Sequence, residues 1–262
     1  MDIAVCVKRV PDLTEAEIEI DSDGLSLEDS DLDYDLNEWD DFAVEAAVQL
    51  KEKHGGKVTA YTVGDDDAEE VLRRALAMGA DEAIHLCDDA FAGSDPWGIA
   101  QALQRAIGDR KFDLILCGAI SSDGTSGHTG GMLAALLDLP QVALATALEV
   151  NGDKAEVCHE VEGGLERVVE IALPAVITVQ SGINEPRYVS IRGIRKVAGM
   201  DIDVKECDDL GLDSGQVGDA GARVRLEELA LPPTGGGAEI LEGSIDEMVT
   251  TLIERIREQG AL

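Results

Sequence analysis

The sequence predicts an α/β fold: a doubly wound, mostly parallel sheet with an antiparallel extension and a C-terminal arm. Two observations carry that reading. The first half of the chain alternates short apolar runs with amphipathic helix patterns, as strands joined by crossover helices do. From Gln141 the period shortens to successive strand-like runs with no helix between them.

Residues 3–7 are an apolar strand running into Lys8 and Arg9. The polar stretch 21–35 reads as a long loop or hairpin. A helix follows, with Asn37 placed to cap it and Asp40 in its first turn. Trp39, Phe42, Ala43, Ala46, Ala47 and Leu50 share one of its faces, and Gly55-Gly56 ends it. Residues 57–63 are the next strand and 65–78 the next helix, stopped by Gly79. A strand at 83–86 precedes a helix with Pro96 at a first-turn position, where its missing N–H costs nothing. The strand 112–117 enters a Gly/Ser-rich loop, 118–131, and then a helix through Leu137. Runs at 143–150, 155–161, 167–173 and 175–179 read as antiparallel strands extending the sheet. Beyond Gly182 the chain reads as loop-rich, with an extended arm over 205–237, until an amphipathic helix at 245–258.

Composition bounds the function. The 262 residues allow one sizeable α/β domain with an appendage, or two small domains. An apolar fraction of 45% builds a real core, and 3% aromatics make that core aliphatic. The 54 acidic against 21 basic residues leave a net charge of −33, which repels phosphate backbones and anionic lipid; nucleic acid and membrane insertion are therefore excluded as expectations. Such acidity fits either a docking face for a basic partner or a strongly hydrated surface suited to a salt-rich cell interior. The even spread of the acids favours the second. The odd, scattered set Cys6, Cys87, Cys117, Cys158 and Cys207 has no CxxC pair and reads as free thiols in a reducing cytoplasm. The chain opens directly on a strand, without a signal-like segment, and no apolar run approaches the ~20 residues of a membrane helix.

In a doubly wound sheet, ligands bind beyond the carboxyl ends of the strands. Three such ends stand out: residues 6–12, 63–65 and 118–131. The last contains Ser121, Ser122, Asp123, Gly124, Thr125, Ser126, Gly127, His128, Thr129 and Gly130. Glycines admit an anion close to backbone, hydroxyls donate to it, and the following helix dipole favours it. The loop is neither a Walker loop nor GxGxxG, and its composition fits a phosphate cradle or a flexible βα connection equally. His54, His85, His128 and His159 are isolated, with no HExxH, GxSxG or metal-ligand spacing, so no catalytic machine of its own is expected.

Several blocks resemble one family, the electron-transfer flavoprotein beta subunits. They are residues 5–12 (VCVKRVPD), Asn37 with 42–52 (FAVEAAVQLKE), 74–81 (RALAMGAD), 162–166 (EGGLE), 173–179 (LPAVITV) and 184–188 (NEPRY), in family order over residues 1 to about 200. The resemblance implies a Rossmann-like, HUP-type adenine-nucleotide-binding fold over residues 1–190. Residues 191–262 would then hold the end of a recognition loop, an extended arm and a helix contacting an alpha subunit. It implies FAD held mainly by the alpha subunit, and AMP or a second FAD in this one. Nucleotide contacts carry over to Cys6, Asn37, Glu38, Trp39, Asp40, Val63, Gly118, Asp123, Gly124, Thr125, Ser126, Gly127, His128 and Thr129. Of these, Asp123, Gly127, His128 and Thr129 would lie on the phosphate side, and Asn37 and Val63 nearer the adenosine. Asn184, Glu185, Pro186, Arg187, Tyr188, Ile191, Arg192, Arg195 and Lys196 fall on the family's recognition loop, with Ile191 as its aliphatic anchor. The implied function is electron transfer from flavin-dependent dehydrogenases to a quinone oxidoreductase. Departures are Leu13 where many members carry Tyr, and an Asp123-Gly124-Thr125 run closer to the electron-bifurcating branch. The rival reading is a stand-alone nucleotide-binding regulator similar to universal stress proteins.

Overall fold

The computed structural model describes all residues except 15, 17, 29–31, 234–236, 239 and 261–262. Parts of the predicted loop at 21–35 and of the predicted arm at 205–237 lie outside the described residues. The chain forms two compact units, Met1–Glu19 with Leu27–Glu227, and Ile20–Ser26 with Glu228–Leu262.

The larger unit is organised around strand β1 (Asp2–Cys6), whose last four residues are buried. A short antiparallel ribbon of β2 (Arg9–Pro11) and β3 (Tyr34–Leu36) leads into helix α1 (Glu38–His54). The chain then alternates regularly: β4 (Lys57–Val63), α2 (Glu69–Met78), β5 (Glu82–Leu86), α3 (Pro96–Gly108), β6 (Leu114–Gly118) and α4 (Thr129–Leu137). Asp95 caps α3 through Trp97 N and Gly98 N, just before the proline that the sequence places at its first turn. Strands β7 (Gln141–Asn151), β8 (Lys154–Val161) and β9 (Leu165–Ala172) form an antiparallel meander, followed by β10 (Ala175–Val179).

The nine-stranded sheet is completed by β11 (Asp203–Lys205), in the order β11-β5-β4-β1-β6-β10-β7-β8-β9. Strand β10 corrects the expectation that it belongs to the antiparallel set. It lies between β6 and β7 and pairs parallel with both, and all five of its residues are buried, as a strand covered on both faces requires. Helices α1 and α2 cover one face of the sheet, with Val44, Ala47, Leu72 and Ala75 packed on Val5, Ala60 and Leu116. On the other face Ala102, Leu103, Leu133 and Ala134, from α3 and α4, pack on Ala4, Tyr61 and Ile115. The core is aliphatic, as the composition predicts.

The region beyond Gly182 is more ordered than its composition suggests. Ser190 caps a seven-residue helix, α5 (Ile191–Val197), and Arg73 of α2 donates to the carbonyls of Val197 (2.9 Å) and Met200 (2.6 Å) at its far end. Downstream of β11, Cys207, Leu212 and Val217 are buried, and α6 (Gly218–Gly221) follows. These few apolar side chains suffice to anchor the first part of the predicted arm. In the smaller unit, Leu229 N donates to Gly24 O (2.8 Å), and a capping box at Ser244 and Glu247 opens helix α7 (Ile245–Glu258). Among the described residues, no helix is long and apolar enough to cross a membrane.

Candidate functional site

Chain connections reverse direction at β1: the neighbours on one side are β4 and β5, on the other β6 and β10. A crevice at such a switch point is where doubly wound sheets take ligands. The carboxyl ends of β1 (Cys6), β4 (Val63) and β6 (Gly118) lie at one end of the parallel sheet, where Lys8 and Gly118 meet the first turn of α1, so the topology brings the predicted contacts to that end.

The loop after β6 carries the site's open surface. Residues 122–128 are all exposed, and Thr125 (φ +43°) and Gly127 (φ +62°) adopt the left-handed region, which turns the backbone sharply. Helix α4 begins directly after His128 and no side chain caps it. Its first-turn amides therefore face the loop with the positive end of the helix dipole behind them. Lys8 enters from the end of β1, its Nζ 2.6 Å from an Asp123 oxygen and 3.4 Å from Ser121 Oγ. Burial pushes the Asp123 carboxyl up, but the hydrogen bonds from Lys8 and Ser121 outweigh it and hold the group below its ordinary value. The uncapped helix start and the glycine-rich turn offer backbone donors that suit an anionic phosphate, with the Lys8 ammonium beside them paired to the Asp123 carboxylate. No cluster of metal-ligating side chains occurs among the described residues.

Beneath the loop lies a buried polar layer. Asp40 is buried and its two oxygens accept from Lys8 N (2.8 Å) and Gly118 N (2.9 Å). Burial pushes its carboxyl up to about 7, against the Asn37 side chain and the two amides, which favour the charged form. Asn37 occupies the cap position of α1, yet it makes no cap bond, which corrects the expected capping role. Its amide instead donates to Ile120 O (2.9 Å) and its carbonyl accepts from Ser122 N (3.1 Å). Trp39 Nε1 donates to Gln180 Oε1 (3.2 Å), while Glu38 is exposed. Gly118 packs so closely on α1 that a Cβ there would stand 2.3 Å from Asp40 Oδ1, and one on Gly130 would stand 2.4 Å from Thr178 Cγ2. Cys6 and Cys117 are register partners on β1 and β6. Their mutual hydrogen bond, then burial, raise the Cys6 thiol well above its ordinary value, which disfavours its thiolate.

The predicted recognition residues divide into two groups. Asn184 and Arg187 turn inward: Asn184 Nδ2 donates to Phe42 O (3.0 Å), and Arg187 bonds Glu45 and Glu52 of α1. Pro186 is half-buried beside them. Glu185, Tyr188, Ile191, Arg192, Arg195 and Lys196 are exposed, and so is Ile194; Tyr188 is 89% and Ile191 67% exposed. Sequence reasoning missed Ile194 because the helix containing it went unrecognised. Ser121 and Lys8 lie in two of the strand ends the sequence singles out, but the resemblance did not carry over to either, and their contact with each other and with Asp123 was not foreseen.

The sheet order and the crossover helices define a Rossmann-like α/β protein. The electron transfer flavoprotein domain family matches residues 24–210. The chain is 40% identical over 99% of both chains to the electron transfer flavoprotein subunit beta of Bacillus subtilis (strain 168), and 39% identical over 98% of both to that of Methylophilus methylotrophus. It is 34% identical, over 99% of both chains, to the caffeyl-CoA reductase-Etf complex subunit CarD of Acetobacterium woodii. This chain belongs to the electron transfer flavoprotein beta-subunit family.

Proposed function

We propose that this chain is the beta subunit of a heterodimeric electron-transfer flavoprotein, holding an adenine nucleotide at the loop 118–129 and shuttling electrons only together with an alpha subunit. The observation that carries the reading is the uncapped start of α4 beside the glycine-rich turn and Lys8, which offers backbone donors and one cation to a phosphate. FAD, held mainly by the alpha subunit, supplies the redox chemistry, and this chain supplies orientation and a docking surface.

Two surfaces support the partners in this reading. Helix α7 buries none of its side chains and exposes Ile245, Val249, Leu252 and Ile253, an apolar face suited to the alpha subunit. On α5, Ile191 and Ile194 stand with Tyr188 among Arg192, Arg195 and Lys196, an aliphatic anchor with a cationic rim. Such a patch in a chain of net charge −33 suits brief docking of an acidic flavin dehydrogenase, with a quinone oxidoreductase or similar acceptor taking the electrons onward. The same charge supports a salt-adapted cytoplasm as the setting.

A second reading within the family is an electron-bifurcating flavoprotein with a second FAD in place of AMP. The Asp123-Gly124-Thr125 run and the likeness to a subunit of a caffeyl-CoA reductase complex favour it. Co-expression with a candidate alpha subunit in high salt, followed by release and identification of the nucleotides, tests both. One FAD and one AMP per heterodimer supports the simple shuttle. Two FAD and no AMP supports bifurcation. A monomer that binds ATP without flavin or complex overturns both in favour of the stand-alone regulator.

A further inference from the structure

The first turn of α1 reaches three backbone segments at once. Asn37 is 1% exposed; its side chain bridges Ile120 O and Ser122 N, and its own amide donates to Lys8 O (3.0 Å). Asp40 bridges Lys8 N and Gly118 N. Lys8 continues the chain of contacts through Nζ to Asp123. The end of β1, the end of β6 and the start of the loop are thus fastened to one helical turn. Asn37 gives up the helix cap to do this, and one donor and one acceptor of its carboxamide already serve the protein.

Resting on the nucleotide reading above, we propose that Asn37 and Asp40 are positioning residues that fix the path of residues 118–122, and through it the phosphate-side turn 123–129. Asn37 acts on the nucleotide's phosphate through the loop and does not hold the adenosine. Both side chains are buried, and both bond to backbone more than 30 residues away in sequence. A loop with two left-handed turns and seven successive exposed residues has little else to define its shape. Removing a buried partner leaves the amide of Ser122 and the carbonyl of Ile120 unpaired, and the loop must rearrange to reach water.

The test compares ligands with and without a phosphate. The heterodimer with its alpha subunit is stripped of the nucleotide held by this chain, then titrated calorimetrically with AMP and, separately, with adenosine. Asn37→Ala removes both bonds. Asn37→Asp keeps an oxygen facing Ser122 N but turns a second oxygen on Ile120 O and buries a charge beside Asp40, and Asp40→Asn keeps the shape of Asp40 but loses one of its two acceptors. We expect Asn37→Ala and Asn37→Asp to weaken AMP binding by roughly tenfold or more, with Asp40→Asn intermediate and adenosine binding unchanged. Amide exchange over residues 119–125 should accelerate in the same variants while β4 keeps its protection. Equal weakening of AMP and adenosine would mean a direct adenosine contact and overturn the proposal, as would unchanged exchange over 119–125 in Asn37→Ala. If the wild-type heterodimer binds neither AMP nor FAD in this chain, the nucleotide reading fails, and the exchange measurement alone still decides the positioning role.

Discussion

Arg187 and Glu45 form a two-pronged ion pair across 142 residues of sequence, with Nε 2.7 Å from one carboxylate oxygen and Nη2 3.1 Å from the other. Glu45 of α1 is 4% exposed, and the Arg187 amide also donates to it. Glu52, about two helical turns further on, accepts from Nη1 and shares Nη2 with Glu45. Burial pushes the Glu45 carboxyl up, but the Arg187 guanidinium wins and keeps it below its ordinary value. The segment leading into α5 is thereby fixed on a rigid helix rather than left as a free loop.

Arg187→Gln should therefore destabilise the protein by about 2 kcal/mol or more, because it strands a buried carboxylate without its partner. Arg187→Lys keeps the charge and loses the planar fork, and should cost less. Urea unfolding monitored by circular dichroism measures both. Equal stability of wild type and Arg187→Gln would show that the pair contributes nothing net.

The glycines of the crevice separate into those that need to be glycine for packing and those that do not. Gly118→Ala drives a methyl to 2.3 Å from Asp40 Oδ1 and 2.8 Å from Trp39 Cβ, and Gly130→Ala drives one to 2.4 Å from Thr178 Cγ2. Each should cost roughly 1–3 kcal/mol of stability as strand and helix are forced apart. Gly124→Ala meets nothing closer than 3.6 Å and should be tolerated in stability. Thermal unfolding of the three variants side by side gives the comparison.

The alternation of strands and helices was legible because β1, β4 and β6 are short apolar runs and α2 and α3 carry clean helical stripes. The place of β10 was not, because strand order is decided by pairing with β6 and β7, which lie far off in sequence. The run Ala175–Val179 did hold a clue, since five successive apolar residues suit a strand covered on both faces better than an edge. Helix α5 is too short for a periodic pattern to declare itself, and only Ser190 announces it. For the candidate site, glycines and hydroxyls marked the loop. The contacts of Asn37 with residues 83 and 85 positions away, and of Lys8 with Asp123, arise only when the strands assemble.

Asp40 gives the fold a pH dependence of definite sign. Its carboxyl lies at about 7 in the folded protein against an ordinary 3.8, so the fold retains a proton that the unfolded chain releases. Its contribution is most favourable below about pH 4 and worsens as pH rises to about 7, where burial of the charge takes full effect. Asp40→Asn carries no charge, so, beyond a constant cost for the acceptor it loses at Lys8 N or Gly118 N, its stability relative to wild type should improve by a few kcal/mol between about pH 3 and pH 8. Denaturant midpoints for the two proteins over that range measure the difference, and a constant difference would mean that Asp40 is already charged throughout.

The surface charge predicts a response to salt that the Arg187 clamp does not share. With 54 acidic and 21 basic residues, folding compresses mutually repelling carboxylates, and added salt shortens the reach of that repulsion from about 10 Å at 0.1 M to about 3 Å at 1 M. The unfolding temperature should therefore rise by several degrees between ~0.1 M and ~1 M KCl, most steeply at the lower concentrations. The Arg187–Glu45 pair is held at 2.7 Å with Glu45 out of solvent, where screening is weak, so the penalty of Arg187→Gln should be nearly the same at both concentrations. A flat melting curve series in wild type would show that the acidic surface is tolerated without self-repulsion. A penalty for Arg187→Gln that vanishes in high salt would show instead that the clamp behaves as an exposed pair.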